Sequence, residues 1–342
     1  MHNERKTAPE KRESDSTQKK VVVIGGGTGT FTVLSGLKHY PLDLTAIVTM
    51  ADDGGSTGRL RDEFGVLPPG DLRQALVALS EADAVMRDLF NFRYDKGELA
   101  GHSFGNIFLS TLEQVTGSLD RALDVAGEIL NICGRVLPVT LSHVELVTEL
   151  KNGKVLRGES VLRDYQLVSR FGIKKIALTP KPVANPKALA AIAEADLLIV
   201  GPGHLYGSLM PNFLVPGVGS AFAKAKGKKV YVANLMNKNG HTDDFAVTDY
   251  VSALEAAIGK TGVFDVVVYN TKRPVATLLR KYADEGEPVL CTEACLSGSF
   301  ELVGANLLSE KLAKTAKKDM LYRTLIRHDS EKLAKVIIQL LD

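Results

Sequence analysis

The stretch VVVIGGGTG at residues 21–29 constrains the fold of this chain more than any other segment. Four β-branched residues in succession read as a strand buried on both faces, as in the interior of a parallel sheet. Gly25, Gly26 and Gly27, then Thr28 and Gly29, break that strand abruptly, and FTVLSGLKHY continues with helical spacing. Strand, glycine turn and helix together make a device for holding phosphate. Glycine lets the backbone come close, and the helix start offers free N–H groups and the positive end of a dipole. The spacing is neither a full dinucleotide fingerprint nor a Walker loop, which needs a Lys-Ser/Thr pair after its last glycine. On its own the segment fits phosphate binding and also a plain tight turn.

Similar strands recur along the chain. LTAIVTM (44–50), IKKIALTP (173–180), ADLLIVGPG (195–203), KKVYVANLM (228–236) and FDVVVYN (264–270) alternate with helical patterns. DLRQALVALSEADAVMRDLF (71–90) reads as one helix that Pro68 and Pro69 keep from starting earlier, with Asp71 suited to its cap. HSFGNIFLSTLEQVTG (102–117) begins another, and DSEKLAKVIIQLL closes the chain as an amphipathic helix capped by Asp329 or Ser330. Around Asn152-Gly153 the pattern changes to alternation, which signals a hairpin with a type I′ turn. The pattern predicts an α/β fold, Rossmann-like and doubly wound, with a mostly parallel sheet and a small β-hairpin insertion at about 133–170. Residues 1–19 are polar and charged and read as a solvated tail, leaving 20–342 as a single domain.

Composition excludes several classes. A net charge of +2 over 342 residues gives no field suited to nucleic acid or an anionic membrane. No apolar run approaches the roughly 18 residues of a membrane helix, and no signal peptide is recognisable, so a cytoplasmic protein is expected. Three cysteines, with Cys291 and Cys295 four apart and no second pair, read as free thiols in a reducing compartment. Nothing here forbids a homo-oligomer.

In an open α/β sheet, ligands gather beyond the carboxyl ends of the strands. Several strand ends in this chain carry loops suited to that position. In ADDGGSTGRLR, Asp52 and Asp53 run into Gly54, Gly55, Ser56 and Thr57, then Arg59 and Arg61. Paired carboxylates there suit Mg²⁺, a proton from a hydroxyl, or a sugar diol, and the hydroxyls and arginines suit phosphate. In LPPGDLR, Asp71 and Arg73 stand evenly between a helix start and a ligand contact. In GHSFGN, His102 reads as a structural donor, while Asn106 is placed to meet a ligand or bridge two loops. Gly201 and Gly203 flank a proline after a buried strand, and Asn234, Asn237 and Thr242 occupy another strand-end loop. No G-x-S-x-G elbow, Cys/His pair or HExxH helix is present, so covalent serine or cysteine chemistry is not expected.

Taken in order, GGGTG, LTAIVTMADDGGSTGRLR, LPPGDLRQALVALS, GHSFGN, GPGHLYGSLMPNFLVPG and KVYVANLMNKNG resemble the YvcK-type gluconeogenesis-factor branch of the CofD-like family, which also contains 2-phospho-L-lactate transferase. The resemblance implies a Rossmann-like domain that binds a UDP-sugar such as UDP-N-acetylglucosamine. It implies a regulatory role in gluconeogenic growth, cell-wall synthesis and cell shape, without demonstrated catalysis. By that likeness Tyr282 and Arg327 would be UDP-sugar contacts. The alternative is a CofD-type transferase that moves a phospholactyl-like group from a nucleoside diphosphate to a hydroxyl acceptor. Asp52 and Asp53 would then be catalytic and hold Mg²⁺. A dehydrogenase is disfavoured, because ADDGG lacks the lone acidic ribose hook. Two loops depart from the family pattern. GPGSLYTS is here GPGHLYGS, bringing His204 and Gly207, and MTQxGET is here MNKNGHT, bringing Lys238 and His241.

Overall fold

Strand β1 (Lys19–Gly25) lies at the centre of a seven-stranded sheet, paired in parallel with β2 (Leu42–Val48) on one side and β7 (Leu197–Val200) on the other. This arrangement comes from a computed structural model that describes residues 18–163, 165–282, 286–292, 295, 298–310 and 326–341. The polar tail read at 1–19 lies outside the described residues up to residue 17. Val21 to Ile24 are at most 2% exposed, as expected for a strand covered on both faces. The remaining strands are β3 (Arg135–Pro138), β4 (Glu145–Leu150), β5 (Val155–Arg157), β6 (Ile173–Thr179), β8 (Lys228–Val232), β9 (Val266–Asn270) and β10 (Glu301–Ala305).

The large sheet runs β10-β9-β8-β7-β1-β2-β3 and every pairing in it is parallel. From β1 the chain builds outward through β2 and β3, then returns to β7 on the other side. The winding therefore reverses between β1 and β7, which opens a crevice at the carboxyl ends of those two strands. Helix α1 (Gly27–Leu37) follows β1 and buries Val33, Leu34 and Leu37. The final helix (Ser330–Gln339) packs on it so closely that a Cβ on Gly36 would overlap the Ser330 carbonyl oxygen. Asp329 caps that final helix, accepting from the Glu331 and Lys332 amides.

The insertion differs in extent from the sequence reading. Arg135–Pro138 pairs with β2 and closes the main sheet, whereas β6, expected to resume the main pattern, joins a separate antiparallel sheet in the order β5-β4-β6. The inserted sheet therefore spans Glu145–Thr179, and the alternating burial of β4 reflects one covered face. Leu146, Leu150, Leu156, Leu162, Val168 and Ile176 form its own small core, to which Ala51, Tyr206, Met210 and Leu214 of the main domain contribute. The Asn152-Gly153 turn is a hairpin, but it is not type I′. Gly153 has φ +86°, and Asn152 does not take the positive φ that a type I′ turn requires.

The helix predicted over 71–90 is two helices. After α2 (Gly55–Phe64) come α3 (Gly70–Leu79) and α4 (Ala84–Asn91), followed by α5 (Phe104–Thr116). The break falls at Ser80. Its hydroxyl donates to Leu130 O at 2.8 Å and accepts from Ala82 N at 3.1 Å, local bonds that compete with helix continuation. Asp83 then restarts the helix by accepting the Met86 amide.

Candidate functional site

Helices α1 and α2 begin at glycines 27 and 55, each preceded by another glycine in extended conformation that has no side chain to cap the helix with. Their first N–H groups, together with the positive ends of two dipoles, face one cleft of about 220 Å³. Gly27 (φ +64°) and Gly55 (φ +51°) both need the left-handed region that glycine tolerates. The lining also includes Asp52, Gly54, Ser56, Thr57, Gly70, Asp71, Arg73, Asn106, Glu159 and Ser208. The sequence had singled out Gly27, Asp52, Gly54, Gly55, Ser56 and Asn106, and the fold brings these to one place.

The other glycines of the first loop serve packing. A Cβ on Gly26 would overlap the Asp71 carboxylate, and one on Gly29 would overlap the Pro202 carbonyl. The loop after β7 thus rests on α1. Asn234, after β8, holds that loop from the other side: its amide oxygen accepts from Gly203 N at 3.2 Å and its NH₂ donates to Gly203 O at 2.9 Å. Gly201 takes φ +79° at the start of the same loop. Thr28 is exposed, and its carbonyl accepts from the Thr32 hydroxyl.

Carboxylates converge on the same end of the cleft. Asp52 Oδ1 accepts from Gly54 N at 3.0 Å, and Gly70 lets α3 start against its other oxygen. Asp71 is raised to about 8, first by burial, then by the nearby Asp52 and Glu159 charges, while the Gly27 N–H and Arg73 oppose the shift. Asp53 faces elsewhere: its Oδ1 accepts from Ser160 N at 2.7 Å, tying the loop after β2 to the insertion. Arg59 donates to Ala100 O at 2.8 Å on the protein exterior. Asn106 does bridge: its Oδ1 accepts from Arg73 Nε at 2.9 Å and its NH₂ reaches Thr57 Oγ1 at 3.5 Å. His102 meets Ser56 Oγ at 3.1 Å, and burial and then Arg59 push its pKa down.

Tyr282 and Arg327 lie outside the lining of this cleft. Tyr282 is buried in a small cluster with Leu235, Leu308 and Ile326, so it sits beside the residue following Asn234 and the residue preceding Arg327. The two departures after β7 and β8 meet each other. His204 Nδ1 accepts from Gly207 N at 3.0 Å, which places its proton on Nε2, 3.2 Å from His241 Nδ1.

The sequence reading did not single out Glu159, Ser208, Gln74 or Arg93. Glu159 belongs to the insertion, and strand or helix periodicity carries no signal for what a loop after β5 will face. Among the described residues no three His, Cys, Asp or Glu side chains form a metal cage, and no helix is long and apolar enough to cross a membrane. Cys133, Cys291 and Cys295 are free thiols.

Comparison with known proteins agrees with this architecture. The sequence model of the 2-phospho-L-lactate transferase CofD family matches residues 21–311. The gluconeogenesis factor of Bacillus subtilis is 39% identical over 94% of this chain and 98% of its own length. That of Halalkalibacterium halodurans is 38% identical over 94% of this chain and 96% of its own. A crystal structure of a Bacillus halodurans protein superposes with a TM-score of 0.86 at 37% identity, covering 94% of this chain and 100% of that one.

Proposed function

This chain belongs to the CofD family, alongside the bacterial gluconeogenesis factors, and from that membership we propose that it is a nucleotide-sugar-binding regulatory protein. The ligand is a UDP-sugar of the UDP-N-acetylglucosamine kind, and the setting is cytoplasmic control of wall synthesis and cell shape during gluconeogenic growth. One observation carries the reading: two glycine-led helix starts, at Gly27 and Gly55, line the same cleft. Two adjacent N-termini suit a diphosphate better than a single phosphate. Asn234, Tyr282 and Arg327 would complete the nucleotide-sugar site. Calorimetry with UDP-N-acetylglucosamine tests this. Saturable binding weakened by Tyr282→Ala or Arg327→Ala supports it, and no heat at millimolar ligand overturns it.

The carboxylates favour a second reading, a CofD-type transferase. An acceptor hydroxyl oxygen would form the new bond to phosphorus. The bond from that phosphorus to the bridging oxygen of the nucleoside phosphate would break, and the hydroxyl proton would pass to a carboxylate. Asp52 and Asp71 fit a magnesium ion that arrives with the diphosphate, since one or two carboxylates with phosphate and water oxygens make its usual shell. Bound there, the ion would supply charge neutralisation. The residues' own part is to orient the acceptor and take its proton. Metal-dependent release of a nucleoside monophosphate, lost in Asp52→Asn, is the expected result; turnover that survives the substitution removes the carboxylate from the reaction.

A further inference from the structure

Ser56 and His102 are 46 residues apart in the chain, yet Ser56 Oγ lies 3.1 Å from His102 Nδ1. Ser56 is in the first turn of α2, lines the cleft and is 3% exposed. Its hydroxyl has one other contact, the Ser103 amide at 3.4 Å, and an amide N–H only donates. A buried hydroxyl proton needs an acceptor, and among the described residues the one within reach is His102 Nδ1. The Ser56 O–H therefore donates to Nδ1, and the imidazole carries its own proton on Nε2. Burial, and then the Arg59 charge, push the His102 pKa down, so the ring is neutral. Backbone bonds hold His102 from both sides: its amide donates to Leu99 O at 2.9 Å and its carbonyl accepts from Tyr94 N at 3.0 Å. The next residue, Ser103, caps α5 by accepting the Asn106 amide at 3.2 Å.

A hydroxyl that donates to a neutral imidazole is an activated nucleophile. This one stands at the start of α2, where helix N–H groups favour phosphate oxygens and the negative charge that develops on them. Room for an electrophile is present, since a Cβ on the adjacent Gly55 would meet no protein atom within 4 Å. The neighbouring hydroxyl, Thr57 Oγ1, meets the Asn106 amide instead of a base. We propose that Ser56 is a nucleophile toward phosphorus with His102 as its general base, and that its substrate class is a phosphoric anhydride bound at the two helix starts. In the step, Ser56 Oγ forms a bond to the phosphorus distal to the nucleoside. The bond from that phosphorus to the bridging oxygen breaks, its electron pair leaves with the nucleoside monophosphate, and the Oγ proton passes to His102 Nδ1. The substrate half rests on the nucleotide-sugar reading above and adds a covalent step to it; the nucleophile half stands on the Ser56–His102 pair.

The test treats the full chain with an alkyl phosphonofluoridate, a reagent that bonds its phosphorus to an activated serine oxygen as fluoride leaves and the base takes the proton. Peptide mass spectrometry reads which residue is modified and how fast, with folding checked by thermal melting. Wild type should be labelled at Ser56 ahead of every other serine. His102→Gln should be labelled there about a hundredfold more slowly, the loss expected for a general base. UDP at about ten times its dissociation constant should slow the wild-type reaction about tenfold. Wild type unlabelled at Ser56, or His102→Gln labelled at an equal rate, overturns the nucleophile. UDP that binds by calorimetry without slowing the label overturns the substrate class alone. UDP and UDP-N-acetylglucosamine that both give no heat overturn the nucleotide-sugar reading and the substrate class with it, and the label still decides the nucleophile. Should His102→Gln fail to fold, His102→Asn takes its place and the selectivity of the wild-type label decides the claim on its own.

Discussion

The Asp71 carboxylate fills the place where a side chain on Gly26 would go, and it receives the Gly27 N–H from the same turn. The glycine loop after β1 is therefore shaped by a protein acid as well as by the space it leaves for an anion. A carboxylate and a phosphate cannot share such a turn without a proton or a cation between them. Asp71 raised to about 8 is the proton's share of that arrangement.

The raised value has a signed consequence for stability. A carboxyl whose folded pKa exceeds its unfolded value binds more protons in the native state through the interval between them. Its contribution is fully present below about pH 4 and is lost as pH rises toward about 8. Asp71→Asn keeps an acceptor for Gly27 and cannot ionise. Melting curves at pH 5 and pH 8.5 should show the variant gaining on wild type at the higher pH. A constant difference between the two would show that Asp71 does not titrate in this window.

Gly26→Ala isolates the steric half of the same relationship. Gly26 has φ −178°, extended backbone that alanine adopts freely, so its cost comes from displacing Asp71 and crowding Thr49. Overpacking of this kind costs about 1–3 kcal/mol. In an Asp71→Ala background the obstruction is gone and the cost should fall below about 1 kcal/mol, a coupling that denaturant titration of the four proteins measures. Additive effects would show that the Asp71 side chain does not set the turn.

How much of this the sequence made legible depends on whether the signal was local. Val21–Gly29 announced its strand, turn and helix because buried β-branched runs and glycine breaks act within a few residues. Gly54, Gly55 and Asp52 were found for the same reason, and the fold collects them in one cleft. Ser80 broke a helix that looked continuous because its partner, Leu130, is fifty residues away. The strand Ile173–Thr179 reads like its parallel neighbours, but its pairing with β4 places it in another sheet. Glu159 illustrates the limit most directly: the Asp53–Ser160 bond, across 107 residues, ties its loop to the one after β2.

Gly55→Ala should separate binding from stability. A Cβ there meets no protein atom within 4 Å, so the folded state bears the positive-φ strain alone, about 1–2 kcal/mol. Gly55 also lines the cleft, and the added methyl would stand among the amides of the proposed diphosphate site. Affinity for UDP should drop about tenfold or more while the melting point shifts modestly. Gly29→Ala reverses the pattern, since its Cβ would overlap the backbone carbonyl of Pro202, which has no rotamer to escape into. It should destabilise more than Gly55→Ala. Calorimetry and melting on both variants check the contrast, and equal stability loss would refute it.

The histidine pair makes the last prediction. Burial, reinforced by Lys238, lowers His241 to about 4, while a backbone bond to Leu162 opposes the shift. A histidine whose folded pKa is depressed binds fewer protons in the native state between that value and its unfolded pKa near 6.5. Its stabilising contribution is complete above about pH 6.5 and is lost as pH falls toward about 4. His241→Asn offers an amide oxygen near the position of Nδ1, so the bond from His204 Nε2–H can persist while the titration is removed. The variant should lose less of its melting temperature than wild type between pH 7 and pH 4.5. His328, also lowered to about 4 by burial, acts in the same direction in both proteins and drops out of the difference. Parallel melting-temperature profiles for the two proteins would show that His241 does not report acidification.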